Sequence, residues 1–167
     1  MLINNNHKDI AIITGPLQTK PSIERLNGYK EALSINDIDI KEEYIYEGDF
    51  QVESGYRITN DIIKNNKDVT AIFVSNNMML LGAINALNEN NLDIGKDISL
   101  LGFDDLEFLN YVGINISVVA RPTSEMGKIS LEILKKKVSE FEPCSTQNVV
   151  LKPYLIARGS EKITKNI

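Results

Sequence analysis

The chain has a single cysteine, Cys144, and a single histidine, His7, and each scarcity removes a class of chemistry. One cysteine closes no intrachain disulfide and supplies no Cys-x-x-Cys pair. His7 has no nucleophile near it in sequence and no Gly-x-Ser-x-Gly elbow occurs, so His7 reads as a structural residue and hydrolytic triads find no support. Positive charge is also short. The chain sets 18 Lys and Arg against 23 Asp and Glu, a formal net charge of -5 with a pI near 5.0, the wrong sign for a surface that tracks phosphates. Binding of DNA by this chain alone is not expected. Apolar runs stay strand-sized, far below the roughly 20 residues of a membrane-spanning helix, so membrane insertion is not expected either. No cationic start followed by an apolar run and a cleavage site occurs in residues 1–20, and with the cysteine count this points to a reducing, cytoplasmic location. No internal repeat is present.

What is there reads as an ordinary folding domain. Of 167 residues, 43% are hydrophobic and 25% charged, enough for one lobe with a core of its own. Short apolar segments alternate with helical ones. The strand-like segments are Ile10–Ile13, Glu43–Tyr46, Val69–Val74, Ile98–Phe103 and Ile116–Ala120, two of them near-continuous runs of the kind buried on both sheet faces. Between them, Ser22–Leu33 carries Ile23, Leu26, Tyr29, Ala32 and Leu33 on one helical stripe, Gly55–Ile63 carries Tyr56, Ile58, Ile62 and Ile63, and Met78–Leu87 is apolar nearly all round. Residues Thr123–Val138 have a helical pattern. Extended segments are expected at Asn148–Leu151 and Tyr154–Ala157, with Pro143 and Pro153 bracketing the first. Strict succession of strand and helix implies βαβ units and an α/β fold, a doubly wound parallel sheet with helices on both faces.

In such sheets ligands bind beyond the carboxyl ends of the strands. The first strand leads through Gly15–Pro21 to Arg25 in the first turn of a helix; the second ends at Gly48-Asp49-Phe50, the third at Ser75-Asn76-Asn77, the fourth at Phe103-Asp104-Asp105. A guanidinium, an aromatic face, an amide and a carboxylate on one rim suit a polyhydroxylated ligand. Each residue also has a plainer reading: Arg25 as an exposed helix residue, Phe50 as core, Asn76 or Asn77 as a helix cap, Asp104 and Asp105 as turn formers. The loop Gly15–Lys20 lacks the second glycine and the Ser/Thr of a phosphate-cradling loop. Asp104-Asp105 resembles the acidic pair that holds Mg²⁺ in a receiver or phosphatase, but no carboxylate cluster at an earlier strand end completes that site.

Taken as strings, the same residues resemble the lactose-repressor/galactose-repressor (LacI/GalR) family of transcription regulators. Asn6-His7-Lys8-Asp9-Ile10-Ala11 is similar to its Gly-His-x-x-Ile-Ala, with Asn6 in place of Gly. Arg25 to Leu33 is similar to Arg-x-x-Gly-aromatic-x-x-Ala-Leu, and Gly48-Asp49-Phe50 to Gly-Asp-aromatic. Val74–Ala83, Ile98–Asp105, Arg121-Pro122 and Leu155–Ser160 resemble further family segments. The resemblance implies a type I periplasmic-binding-protein-like lobe, three-layer αβα. It implies that residues 1–167 form part of an effector-binding domain, mainly its C-terminal lobe, without the helix-turn-helix headpiece and most of the N-terminal lobe. Arg25, Phe50, Asn76 and Asp104 are then the ligand contacts, joined by Arg121. The family usually has Gln where Arg121 stands and Asp where Asn77 stands, which points to a ligand with more negative charge than a neutral sugar. The implied partners are a small-molecule effector, a sugar or sugar derivative, operator DNA only through the headpiece, and a second copy in a homodimer, for which Leu106–Tyr111 is the candidate interface. Neither a cofactor nor an enzymatic activity is implied. The apolar side of Thr123–Val138, with Met126, Ile129, Ile133 and Leu134, is expected to pack on its own lobe or on a second chain. A periplasmic sugar-binding protein shares the architecture and stays as an alternative. A flavodoxin-like Mg²⁺-dependent enzyme or receiver using Asp104 and Asp105 is the second alternative.

Overall fold

The computed structural model describes residues 1–139 and 148–162; Pro143 and Cys144, named above, lie outside them. The strands are β1 (Ile10–Thr14), β2 (Ile45–Glu47), β3 (Ala71–Val74), β4 (Ser99–Phe103), β5 (Ser117–Ala120) and β6 (Tyr154–Ile156), and the helices α1 (Lys20–Ile35), α2 (Val52–Asn65), α3 (Asn77–Glu89), α4 (Phe108–Tyr111) and α5 (Thr123–Ser139). One sheet runs β2-β1-β3-β4-β5-β6; every pairing is parallel except β5 with β6, which is antiparallel. All five residues of β1 are buried, because helices lie over both of its faces.

Period-two alternation sends the strand side chains to two separate cores. Ile10, Ile12, Ala71 and Leu101 join Leu26, Tyr29 and Leu33 of α1 on one face. Ala11, Ile13, Ile72, Val74, Leu100 and Val118 join Ile58, Ile62, Met79, Leu80 and Leu87 of α2 and α3 on the other. The architecture is therefore a three-layer αβα, doubly wound α/β lobe. Pro21 sits in the first turn of α1, where a missing N–H costs no intrahelical bond. Asn76 caps α3, its Oδ1 accepting from Met78 N at 2.9 Å and Met79 N at 3.0 Å.

Four details depart from the sequence reading. The second strand begins at Ile45, after a 3-10 turn over Glu42–Tyr44 that turns Tyr44 into the core. Ile23 of α1 and Tyr56 of α2 face outward, and the Tyr56 hydroxyl donates to Glu89 Oε2 at 2.6 Å. Asn148–Leu151 is not a strand: β6 already occupies the sheet edge, and Val150 is 84% exposed. No residue of α5 is buried; Ile129 and Ile133 are half-buried and Met126 and Leu134 exposed, so among the described residues its apolar side is left largely uncovered. Between α1 and the outer strands of that face lies a groove of about 300 Å³, walled by Arg25, Tyr29 and Leu33 of α1 on one side and by Phe103, Val119 and Leu155 of the strands on the other.

Candidate functional site

Parallel pairing sets the carboxyl ends of β1, β3, β4 and β5 side by side, and a cluster of charged groups stands there. Asp104 follows β4 in a left-handed conformation, φ 68, a region Asp tolerates better than most residues. Its N–H donates to Val119 O at 2.9 Å, so the strained residue is held by the neighbouring strand. Arg121 follows β5. Its Nε donates to Asp104 Oδ1 at 2.6 Å and its Nη2 to Oδ2 at 2.7 Å, a two-pronged pair that fixes both planes. The Asp104 hydrogen bonds raise the Arg121 pKa further above its ordinary value.

Arg25 reaches the same place from α1. Its Nη1 donates to the Ser75 carbonyl at 2.6 Å, and its guanidinium carbon lies 3.8 Å from the centroid of the Phe103 ring, within range of a cation–π contact. Burial lowers its pKa; the Asp104 charge works the other way, and the Arg121 charge adds to the lowering. Both guanidiniums thus feel one carboxylate and each other. A shallow cavity of about 430 Å³ opens between them, lined by Pro21, Glu24, Arg25, Phe103, Arg121 and Pro153.

Residues 1–161 match the family model described as a periplasmic binding protein-like domain. The chain belongs to that family. The HTH-type transcriptional repressor PurR of Actinobacillus pleuropneumoniae serotype 3 is 33% identical over 163 residues, which cover 95% of this chain and 48% of that protein. A LacI-family regulatory protein from Chloroflexus aggregans superposes with a TM-score of 0.85 at 34% identity, covering 95% of this chain and 57% of that one. The transcriptional regulator CelR in its cellobiose complex superposes with a TM-score of 0.86 at 29% identity, covering 95% and 48%. The chain spans about half the length of the curated relatives it matches. These relatives are transcription regulators, so the strings that resemble LacI/GalR effector domains sit in a periplasmic binding protein-like domain of that kind.

Of the residues picked from sequence, Arg25, Asp104 and Arg121 come together, and Asn76 adjoins them through Ser75. The capping role weighed for Asn76 is the one observed, and it engages only the side-chain oxygen. Phe50 stands apart. It also has a left-handed backbone, φ 66, which is rare for a bulky side chain. Its ring lies against Gly15 so closely that a Cβ there would be 1.9 Å from Phe50 Cε1, and it packs partly buried against the core. Two participants were not picked. Phe103 shares the parity of Leu101 and so faces α1, a signal that strand alternation carries. The Ser75 carbonyl leaves no trace in sequence.

Asp105, weighed above as half of an acidic pair, is held by Arg158 at 2.9 and 2.7 Å. With Asp104 on Arg121, each carboxylate of the doublet is already neutralised by its own guanidinium. Among the described residues no group of three or more His, Cys, Asp or Glu is placed to hold a metal ion, and none of the helices is long and apolar enough to cross a membrane.

Proposed function

We propose that this chain is the effector-binding lobe of a cytoplasmic LacI/GalR-type transcription regulator, without enzymatic activity of its own, and that Arg25, Phe50, Asn76, Asp104 and Arg121 form its half of the ligand cleft. The observation that carries the reading is the convergence of Arg25, Asp104 and Arg121 at the carboxyl ends of adjacent parallel strands, where ligands of open α/β sheets bind. Asp104 is fixed by Arg121 and retains lone pairs for vicinal hydroxyls of a sugar; Asn76 retains one amide N–H beside the one that donates to Asn77 Oδ1 at 3.4 Å; Phe103 and Phe50 supply apolar faces. The relative bound to cellobiose supports a sugar or sugar derivative. In the working protein this lobe covers residues 1–167, mainly the C-terminal half of the domain. A second lobe closes on the effector and shifts the population of two arrangements, which a separate headpiece transmits to operator DNA. Two copies form a homodimer.

Amide chemical shifts of the chain titrated with a panel of sugars, sugar derivatives and purines test the site. A responding compound is expected to move signals of residues 75–77 and 103–105. Asp104→Ala and Arg25→Ala are each expected to weaken that compound about ten- to hundredfold, the loss of a charge-assisted hydrogen bond, while the remaining spectrum stays folded. Unchanged titrations in both variants would overturn the assignment.

A further inference from the structure

The charges around the cavity between Arg25 and Arg121 do not cancel. Glu24 is paired with Lys20 at 3.6 Å and Asp104 with Arg121; among the described residues Arg25 has no carboxylate in ion-pair range. One positive charge is left over, in a chain whose net charge is -5. The two guanidiniums are also anchored in a particular way. Arg25 commits Nη1 to the Ser75 carbonyl and lays its plane on Phe103, leaving Nε and Nη2 without a partner among the described residues. Arg121 commits Nε and Nη2 to Asp104, leaving Nη1 at the open end of its fork. Both line the same cavity of about 430 Å³. Each fork is therefore oriented on one side by the protein and vacant on the other, so little side-chain freedom is lost when a ligand arrives.

We propose that the ligand of this rim carries an anionic group, a phosphate or a carboxylate, clamped between Arg25 and Arg121, while its hydroxyls fall to Asp104. This rests on the reading of the rim as an effector site and narrows it to a chemical class. A neutral sugar would leave the surplus charge of Arg25 without compensation in a part-buried site. A phosphate or carboxylate supplies several acceptor oxygens in the planar geometry that guanidinium forks match. Arg121 gains a second role from its place in the chain. It is followed directly by Pro122 and α5, so a ligand that loads its fork loads the start of that helix.

The test titrates the isotope-labelled chain with glucose, glucose 6-phosphate, glucuronate and inorganic phosphate at ionic strength matched with sodium chloride, reading amide shifts and the Nε–H signals of Arg25 and Arg121. Glucose 6-phosphate or glucuronate is expected to saturate both arginine signals at concentrations where glucose does not, and the stronger of the two identifies phosphate or carboxylate. Arg121→Gln is expected to cost that probe at least tenfold in affinity and to bring it level with glucose. Arg121→Lys, which keeps the charge but loses the planar fork, is expected to recover part of the loss. Glucose binding as tightly as its charged derivatives at the same rim would overturn the proposal and leave the effector site standing. Saturation by inorganic phosphate together with both charged sugars failing would keep the anion clamp and sink the sugar reading. Absence of any saturable arginine shift with all three anions would overturn the proposal outright.

Discussion

His7 is 3% exposed, with Nδ1 2.9 Å from Thr70 Oγ1. Burial lowers its pKa from the ordinary 6.5, and the Glu161 main chain only partly opposes this. In the window between the unfolded value and the lower folded one, the unfolded chain binds a proton that the folded chain refuses. Stability therefore rises with pH there; it is complete above the unfolded value and lost as pH falls through it. Urea midpoints are expected to drop as pH falls through 6.5, and His7→Gln is expected to flatten that slope. A slope unchanged by the substitution would assign it elsewhere. Glu161 has its own effect at lower pH: burial raises its pKa, but hydrogen bonds from Ser117, its own main chain and Gly159 outweigh that and hold it below the usual value. Residue-level legibility differed with the physics involved. Asn6 stands where the family motif has Gly, and it adopts φ 66, the conformation for which Asn is the usual substitute. Arg25 and Asp104 were visible because strand ends converge by rule, and Arg121 through the resemblance to the family. The contact of Phe50 with Gly15 and the Ser75 carbonyl depend on loop paths that no residue pattern records.

Elements were largely legible, since burial on both sheet faces and helical stripes are set by side-chain period. What period cannot give is how closely two helices approach. Gly55 of α2 and Gly82 of α3 let the helices meet at backbone contact. A Cβ on Gly82 would be 1.9 Å from Val52 O and 2.5 Å from Tyr56 N, and one on Gly55 would be 2.1 Å from Met79 O. Alanine in a helix interior gains up to about 1 kcal/mol in propensity over glycine, but overpacking costs about 1–3 kcal/mol, and more where rigid backbone is struck. Gly82→Ala is therefore expected to lower the urea midpoint despite better propensity. A second fixture was equally hidden: the C-terminal turn, which lies far from the rim. Ser160 Oγ accepts from Ser117 N at 2.7 Å and donates to Leu100 O at 2.6 Å, bridging β4 and β5. Both partners are buried, so Ser160→Ala leaves a donor and an acceptor unsatisfied and is expected to cost roughly 1–3 kcal/mol, readable in the same denaturation experiment. Sequence pointed only to a family-like closing string there. Its contacts depend on where the chain returns after β6.

At the scale of the whole molecule, the apolar surface left uncovered decides behaviour. The candidate interface splits when seen in place: Leu109 is buried and Leu106 packs partly on the core, whereas Phe108 and Tyr111 are 52% and 80% exposed. If copies associate through this patch, Tyr111→Glu is expected to convert a concentration-dependent dimer into a monomer in sedimentation. A dimer that survives the charge would place the interface elsewhere. The helix α5 answers to a different argument. It runs 17 residues, none of them buried, with Met126, Leu131 and Leu134 at 38%, 51% and 57% exposure. A helix of about 15 residues is marginal in water without tertiary packing, so among the described residues its stability rests mainly on propensity and local pairs. Its connection to the rim is short, through Pro122 to Arg121 and from there to Asp104. Amide hydrogen exchange is expected to separate the two: β1, β3 and β4 exchange only at the global unfolding free energy, whereas residues 127–137 exchange orders of magnitude faster. Protection in α5 equal to that of β1 in the monomeric chain would mean the helix has found an apolar seat, and the groove beside α1 bearing Phe103, Val119 and Leu155 has the chemistry to provide it.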